Sequence, residues 1–496
     1  MLLLLAATAN AEWQEASGDH FVIYSDQSEA AVRSFAERLE RYHAAMAHVY
    51  ALTPGKPSPS NRVTVFVISS PGKLHEILTV NDQHLRHGYI ARAGASIAVI
   101  PAQKGGSTYR ITQEQALFHA YAHHFMIANL TARAYPVWFN EGFAEFFASA
   151  RFRAGGVELG AADNALVPQL VVHPSVPLRT LLSSDGGRKG ATSHDAFYGQ
   201  SWLLFHYLQM APERAYQLAS YQRLLAAGQA PLQAAEGAFG NLEQLEKDLD
   251  AYKRRRLIAS LFVRGQELEV GSIVVRKLGP GEAAMMPTLV QSKAGVDRDE
   301  ATALLPEARR VAALYPNDAA VLSALAEAEF DAGNDDAAIA AADRALAFDA
   351  NRINAHLQKG YALARKVESG VLPKEAWRDV RIQFVKANAV ENDNPIPLLR
   401  FYLTYLKQGE PPTKNAIAGL ERSLQLAPFD GALRWVVAQQ MIADERFEDA
   451  AQTLRPLAYS PHPSERAEAA LKLLEEVEVK ASKARPDPPL PGGATP

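Results

Sequence analysis

The chain has 496 residues, 48% of them apolar and 21% charged, which leaves room for two to four domains and is ordinary for a globular protein. A net charge of −4 gives no electrostatic reason to expect nucleic acid, and the absence of cysteine excludes both disulfides and a lipid-bearing N-terminal cysteine. No later run is long and apolar enough to span a bilayer.

The chain opens on an apolar run, Leu2 to Ala7, and then Ala9-Asn10-Ala11, an A-x-A cleavage pattern before Glu12. No positive residue precedes the run, yet the pattern reads as an export signal over residues 1–11 and places the protein in the periplasm or outside of a bacterium. His20 to Tyr24 reads as a strand, Glu29 to Tyr50 as an amphipathic helix, and the β-branched stretch Arg62 to Ile68 as a second strand. Gly88–Gly94 and Ala95–Ile100 look like two arms of a hairpin turning near Gly94. Thr112 caps a helix and Pro136 starts another. A small sheet followed by helices makes an α+β domain, assigned to residues 12–265. Its end, 194–256, is helical, and the basic run Lys253-Arg254-Arg255-Arg256 complements the dipole at a helix end rather than forming a nucleic-acid patch.

Residues 266–297 carry strand-like pieces with Pro280 and Pro287 and read as a linker hairpin. From 298 to 480 the sequence is Ala-rich and repeats. Leu325-Ala326, Gly333, Ala338, Ala345 and Leu346 occupy the small and apolar positions of a tetratricopeptide unit, and Gly360 falls 34 residues after Ala326. Ala387, Pro428 and Ala450 mark degenerate further copies. An irregular helical bundle is the alternative, but the period favours an all-α tetratricopeptide superhelix able to bind a protein or peptide partner. The Pro-rich end, 481–496, reads as a disordered tail.

Chemistry is concentrated in two short stretches. His119 and His123 stand at i and i+4, one turn apart on one helix face, so both imidazoles can reach one cation. Such pairs are common as plain core or surface histidines. The weight comes from Asn140-Glu141-Gly142-Phe143-Ala144-Glu145, with seventeen residues between His123 and Glu141, enough to end one helix and begin another. Two His and one Glu form a ligand set of the catalytic-zinc type. Glu145, one turn after Glu141, can accept the free ring N–H of a ligating histidine. In a His-Glu-x-x-His motif the Glu is the general base, and here that position is Ala120. His124 lies on the Ala120 side of the helix and is the conceivable stand-in.

With these motifs the chain resembles the gluzincin metallopeptidases, in particular the secreted bacterial peptidase-MA-like group whose members often carry tetratricopeptide repeats. The resemblance covers Trp13 to Tyr252. It implies a metallopeptidase-like domain with His119, His123 and Glu141 as zinc ligands and Glu145 behind them. It also implies an edge strand near Ser96, Ile97 and Ala98 against which a peptide could lie, and Tyr198 as an oxyanion stabiliser. Tyr198 has an equally simple reading as a packing residue beside Trp202. The expectation is an exported zinc protein impaired in hydrolysis. The other reading from the same residues is a non-catalytic interaction module whose peptidase fold is structural.

Overall fold

The computed structural model describes residues 12–78, 88–102, 112–130, 135–162, 170, 175–183, 194–255, 257–460 and 464–484. The export signal (1–11) and the last twelve residues of the tail (485–496) lie outside them. Two compact units are present, residues 1–125, 146–165 and 259–429 in the first and residues 126–145, 166–258 and 430–496 in the second.

The first unit is built on a six-stranded sheet of order β4-β5-β3-β2-β1-β9. Its strands are β1 (Gln14–Ser17), β2 (Phe21–Ser25), β3 (Val63–Ile68), β4 (Tyr89–Ile90), β5 (Ile97–Pro101) and β9 (Val274–Lys277). β2, β3 and β5 run parallel, while β1, β4 and β9 pair antiparallel at the flanks. Parallel strands need covered faces. Phe66, Ile68, Ile97 and Val99 point to one side, where α2 (Pro71–Ile77) and α10 (Pro280–Ala294) complete a core with Met286 and Val290. On the other side lie α1 (Glu29–Val49), whose buried stripe includes Phe35, Leu39, Tyr42 and Met46, and α3 (Gln113–Asn129), whose Tyr121 ring meets Phe21 at 4.6 Å. A second sheet joins β6 (Arg151–Arg153), β7 (Gly156–Leu159) and β8 (Leu261–Arg264).

Two sequence expectations are corrected here. Residues 266–297 are not a linker hairpin. The strand on one side of that stretch, β8, pairs with β7, whereas β9 pairs with β1, and Pro280–Ala294 is a helix. Pro280 sits at the first helical position and Glu282 accepts the Gly279 N–H at 3.0 Å, so the proline is a helix start rather than a breaker. Pro287 lies inside the helix. Nor are Ile97 and Ala98 a free edge. Each is paired on both sides, with Thr64 and Val65 of β3 and with Ile90 and Tyr89 of β4, and Ser96 is fully buried. The hairpin turning near Gly94 does form, and its short first arm takes the edge that the substrate strand was expected to offer.

Beyond α10 come paired helices: α11 (Arg298–Leu314), α12 (Ala319–Asp331), α13 (Asp335–Phe348), α14 (Ile353–Glu368), α15 (Trp377–Val390), α16 (Pro395–Gln408) and α17 (Lys414–Leu426). The first helix of each pair starts at Ala319, Ile353 and Pro395, so the repeat is 34 residues and then 42, the longer interval holding the turns before Trp377. Met285 of α10 belongs to the core of α11–α14 while its neighbour Met286 belongs to the sheet core. The helical region is therefore joined to the sheet by a shared helix. Further pins are the Ser60 N–H and hydroxyl on Glu391, at 2.9 and 2.7 Å, and the Asn61 amide on the Leu426 carbonyl at 2.8 Å.

The second unit contains most of α4 (Val137–Ala148), then α5 (Leu178–Leu181), α6 (His194–Met210), α7 (Gln217–Ala226), α8 (Pro231–Phe239) and α9 (Leu242–Lys253). It also holds α18 (Gly431–Ala443), α19 (Phe447–Ala458) and α20 (Glu465–Ala484), which share a core of Ala438, Ala450, Leu454, Ala470 and Leu474. Residues 481–484, expected to open the tail, are the last turn of α20.

Close helix packing in the repeats rests on small residues. A Cβ on Gly360 would stand 2.7 Å from the buried Phe384 ring of α15, whereas one on Gly419 of α17 would meet nothing nearer than 3.7 Å. Gly360→Ala should therefore cost about 1–3 kcal/mol by overpacking, and Gly419→Ala should add up to about 1 kcal/mol through helix propensity. Thermal melts of the two single variants check this; a shift of the same sign in both would refute the packing account.

Candidate metal site

α3 begins with a reciprocal cap. The Thr112 hydroxyl accepts the Gln115 N–H at 3.1 Å, and the Gln115 side chain accepts the Thr112 N–H at 2.8 Å. The following seven residues bring the chain to His119, and the 3.6-residue turn carries His123 onto the same face. α4 opens after Pro136, whose carbonyl accepts the N–H groups of Phe139 and Asn140 at 3.0 and 3.2 Å.

One donor atom from each of His119, His123 and Glu141 lies within 4.8 Å of the others. The two Nε2 atoms are 3.1 Å apart with the rings edge-on at 78°. Two nitrogens on a tetrahedral zinc, each bonded at about 2.0–2.1 Å, stand about 3.3 Å apart, so the spacing of the imidazole pair suits a shared cation as well as it suits an N–H···N hydrogen bond between the two rings. Glu141 is 1% exposed and His123 7%, while His119 is half-buried. Ala120 is also half-buried.

The carboxylate is held by close packing behind it. A Cβ on Gly142 would come within 2.5 Å of the Ser201 carbonyl oxygen and 2.7 Å of Phe205, so only glycine lets α4 lie this near α6. Phe139 and Phe143 pack edge-on against Phe205 at 5.5 and 6.0 Å. Tyr198 is three residues before Ser201, hence on the α6 face that meets α4. It is half-buried, with Phe197 edge-on at 6.0 Å. Glu145 follows Glu141 by one turn and is half-buried.

His124 does not serve the site. Its ring is stacked on Tyr121, with centroids 5.5 Å apart and planes nearly parallel, and meets Phe429 at 4.0 Å. Burial holds its pKa down to about 3. A group so weakly basic and so enclosed is a core histidine.

A polar chain behind α3 escaped the sequence reading. Glu40 accepts the backbone N–H groups of His20 and Phe21, at 2.8 and 3.2 Å, and lies 2.8 Å from His20 Nδ1. The His20 ring stacks on His43 at 3.6 Å, and His43 Nδ1 is 2.7 Å from the Tyr121 hydroxyl. Its trace in the sequence is a Glu and a His set among the buried positions of an otherwise apolar stripe, Leu39, Tyr42 and Met46.

The arrangement is thus a clustered His–His–Glu donor set on two helices beside a mixed sheet, joined to a large region of paired helices. Residues 116–233 match the family described as "Protein of unknown function (DUF1570)", and that span contains His119, Ala120, His123, Glu141, Glu145 and Tyr198. No curated protein sequence matches the chain. Similar solved structures include TTC0263, a thermophilic TPR protein of Thermus thermophilus, at 18% identity and TM-score 0.30 over 39% of this chain and 94% of that one. Pseudomonas aeruginosa pilF is similar at 16% identity and TM-score 0.33, over 41% and 86% of the two chains. Yeast Tom70 is similar at 12% identity and TM-score 0.28, over 93% and 77%. At such scores these likenesses decide nothing about the fold, which rests on the helix pairs themselves.

Burial, then the neighbouring His20 and His124, keep His43 well below the ordinary histidine value. The unfolded chain takes up a proton below about pH 6.5 that folded His43 refuses, so its stabilising contribution is present above that pH and lost on acidification. Asp331 has the opposite sign. Burial and Glu327 push its carboxyl up to about 6, so its contribution is complete below the ordinary aspartate value and lost as pH rises through 6. Comparison with a variant isolates His43. His43→Gln should lose less stability than the wild type between about pH 7.5 and 5, measured as melting temperature against pH. Parallel curves would show that His43 is not a neutral core group.

Proposed function

We propose that the protein is an exported, zinc-binding relative of the gluzincin metallopeptidases that hydrolyses peptides poorly or not at all. The observation that carries this reading is the convergence of His119, His123 and Glu141 within 4.8 Å. A zinc ion so held supplies a Lewis acid and an acidified water, with a pKa of about 7. His119, His123 and Glu141 would hold it, with Glu145 accepting a ring N–H and steadying the ligand geometry. Tyr198, on the α6 face turned to α4, could donate its phenol O–H to a developing oxyanion.

Ala120 has no group to take a proton from the water or return it to a leaving amine. Losing such a relay typically costs about 10²–10⁴-fold in rate. His124, its pKa held down to about 3 by burial and its ring packed against Tyr121 and Phe429, does not replace it. The apolar run Leu2 to Ala7 and the following Ala9-Asn10-Ala11 support export to the periplasm or beyond. The paired helices from Ala319 onward support a tetratricopeptide-type surface for a protein or peptide partner. Those same helices, forming the larger part of the described chain after residue 297, favour a second reading in which the protein is an interaction scaffold and the former peptidase fold is only structural. Among the described residues no helix is long and apolar enough to cross a membrane.

Metal analysis after dialysis should give about one zinc per chain, and His123→Ala should abolish it. A wild-type protein without metal, or undiminished retention in His123→Ala, would remove the ligand assignment and leave the scaffold reading.

Restoring the base tests the rest. Ala120→Glu should create or raise zinc-dependent peptide hydrolysis by about two to four decades. The gain should disappear on chelation and in the double variant with Glu141→Ala. A peptide-library assay compares the two forms. Should Ala120→Glu bind zinc yet cleave nothing, the cleft is not a peptidase cleft.

A further inference from the structure

We infer that His43 of α1 is a positioning residue for the metal-binding face of α3, acting through Tyr121 on the opposite side of that helix. The inference rests on the reading of His119 and His123 as metal ligands. Residue 121 lies about 200° round the helix from residue 119 and about 160° from residue 123, so the back of α3 is turned to α1 when its front offers the two imidazoles. Two adjacent residues of α1 grip that back. The Tyr42 hydroxyl donates to the carbonyl of Phe118, the residue before His119, at 2.9 Å, and its ring stacks on Phe118 at 4.4 Å. His43 Nδ1 meets the Tyr121 hydroxyl at 2.7 Å, and the His43 ring stands edge-on to Phe125 at 5.2 Å.

His43 is itself fixed from behind by His20, and His20 by Glu40, which also binds two backbone N–H groups at the start of β2. A Cβ on Gly18 would stand 2.3 Å from Glu40 Oε1, so the glycine makes the room this carboxylate needs. The result is a buried polar chain from the sheet to α3, set in a layer of Phe21, Tyr42, Phe118 and Phe125. Apolar residues of similar volume would stabilise such a layer as well or better. A directional bond provides something that apolar packing does not, a preferred rotation of α3 about its axis. Rotation matters at the front, because a metal site tolerates only about 0.5 Å of misplacement.

The test measures zinc affinity by competition with a chromophoric chelator, the cobalt(II) absorption spectrum of the substituted protein, and the metal-free melt, all on the full chain. His43→Phe and Tyr121→Phe should each weaken zinc binding about three- to thirtyfold and alter the cobalt spectrum. The double variant should be no worse than either single one, because both remove the same bond. His43→Gln, which can still accept from the Tyr121 hydroxyl, should recover most of the affinity. If the phenylalanine variants bind zinc as tightly as the wild type and only their melts fall, His43 is merely structural and the inference is overturned. Should His43→Phe fail to fold, Tyr121→Phe, which removes a single oxygen, and His43→Gln decide the matter. A wild-type protein that binds no zinc would instead overturn the metal reading, and this inference with it.

Discussion

The Nε2 atoms of His119 and His123 face each other at 3.1 Å because an α-helix stacks residues four apart, and that spacing is useful only while the helix keeps one rotation and one neighbour. Both conditions are met by packing rather than by the histidines. On one side α1 fixes α3 through Phe118 and Tyr121. The carboxylate arrives on α4, which is fixed by its own absence of a side chain at Gly142. The contacts behind the histidines and behind the carboxylate are thus made by residues with no metal-donor atom, and on the proposed reading the donor set inherits its geometry from them.

A similar dependence joins the sheet to the repeats. α10 gives Met285 to one core and Met286 to the other. A helix serving two cores cannot act as a flexible linker, since moving it would open apolar surface on both sides. Ser60 and Asn61 add polar contacts to Glu391 and Leu426, between a loop before β3 and the ends of α15 and α17. Within the first unit the paired helices are therefore part of the sheet's own support, and any partner they bind would contact a surface already braced from within.

Much of this was legible in the sequence where the signal is local. Helix period placed His119 with His123 and Glu141 with Glu145; β-branched runs gave β2 and β3; the glycine near residue 94 gave the hairpin. What escaped depends on which distant segments meet. β1, four residues long, was not read at all, and β9, in a stretch read as strand-like, gains its place only by pairing with β1. Pro280 has two local meanings, breaker and first helical residue, and only the Glu282 cap decides between them. The edge expected at Ile97 and Ala98 was taken by β4, two residues long, because an unpaired strand is satisfied by whatever neighbour the turn delivers. The link from Glu40 through His20 and His43 to Tyr121 joins three elements, so no window of sequence contains it.

The remaining step concerns Ala120 and what a site of this kind can do without a base. On the proposed reading, holding a cation and moving a proton are separate tasks given to different atoms. The donors for the first task converge, and they are half-buried to fully buried, an environment that strengthens electrostatic attraction to a bound cation. The second task has only a methyl group. The nearby imidazole of His124 is withdrawn into aromatic packing, where burial makes it too weak a base for neutral pH. On the proposed reading, a peptide carbonyl reaching the cation would be polarised and held but not efficiently cleaved. Peptide capture at the cation and partner binding by the paired helices would then be two forms of one activity, recognition without turnover, and the scaffold reading differs from it only in whether the cation takes part.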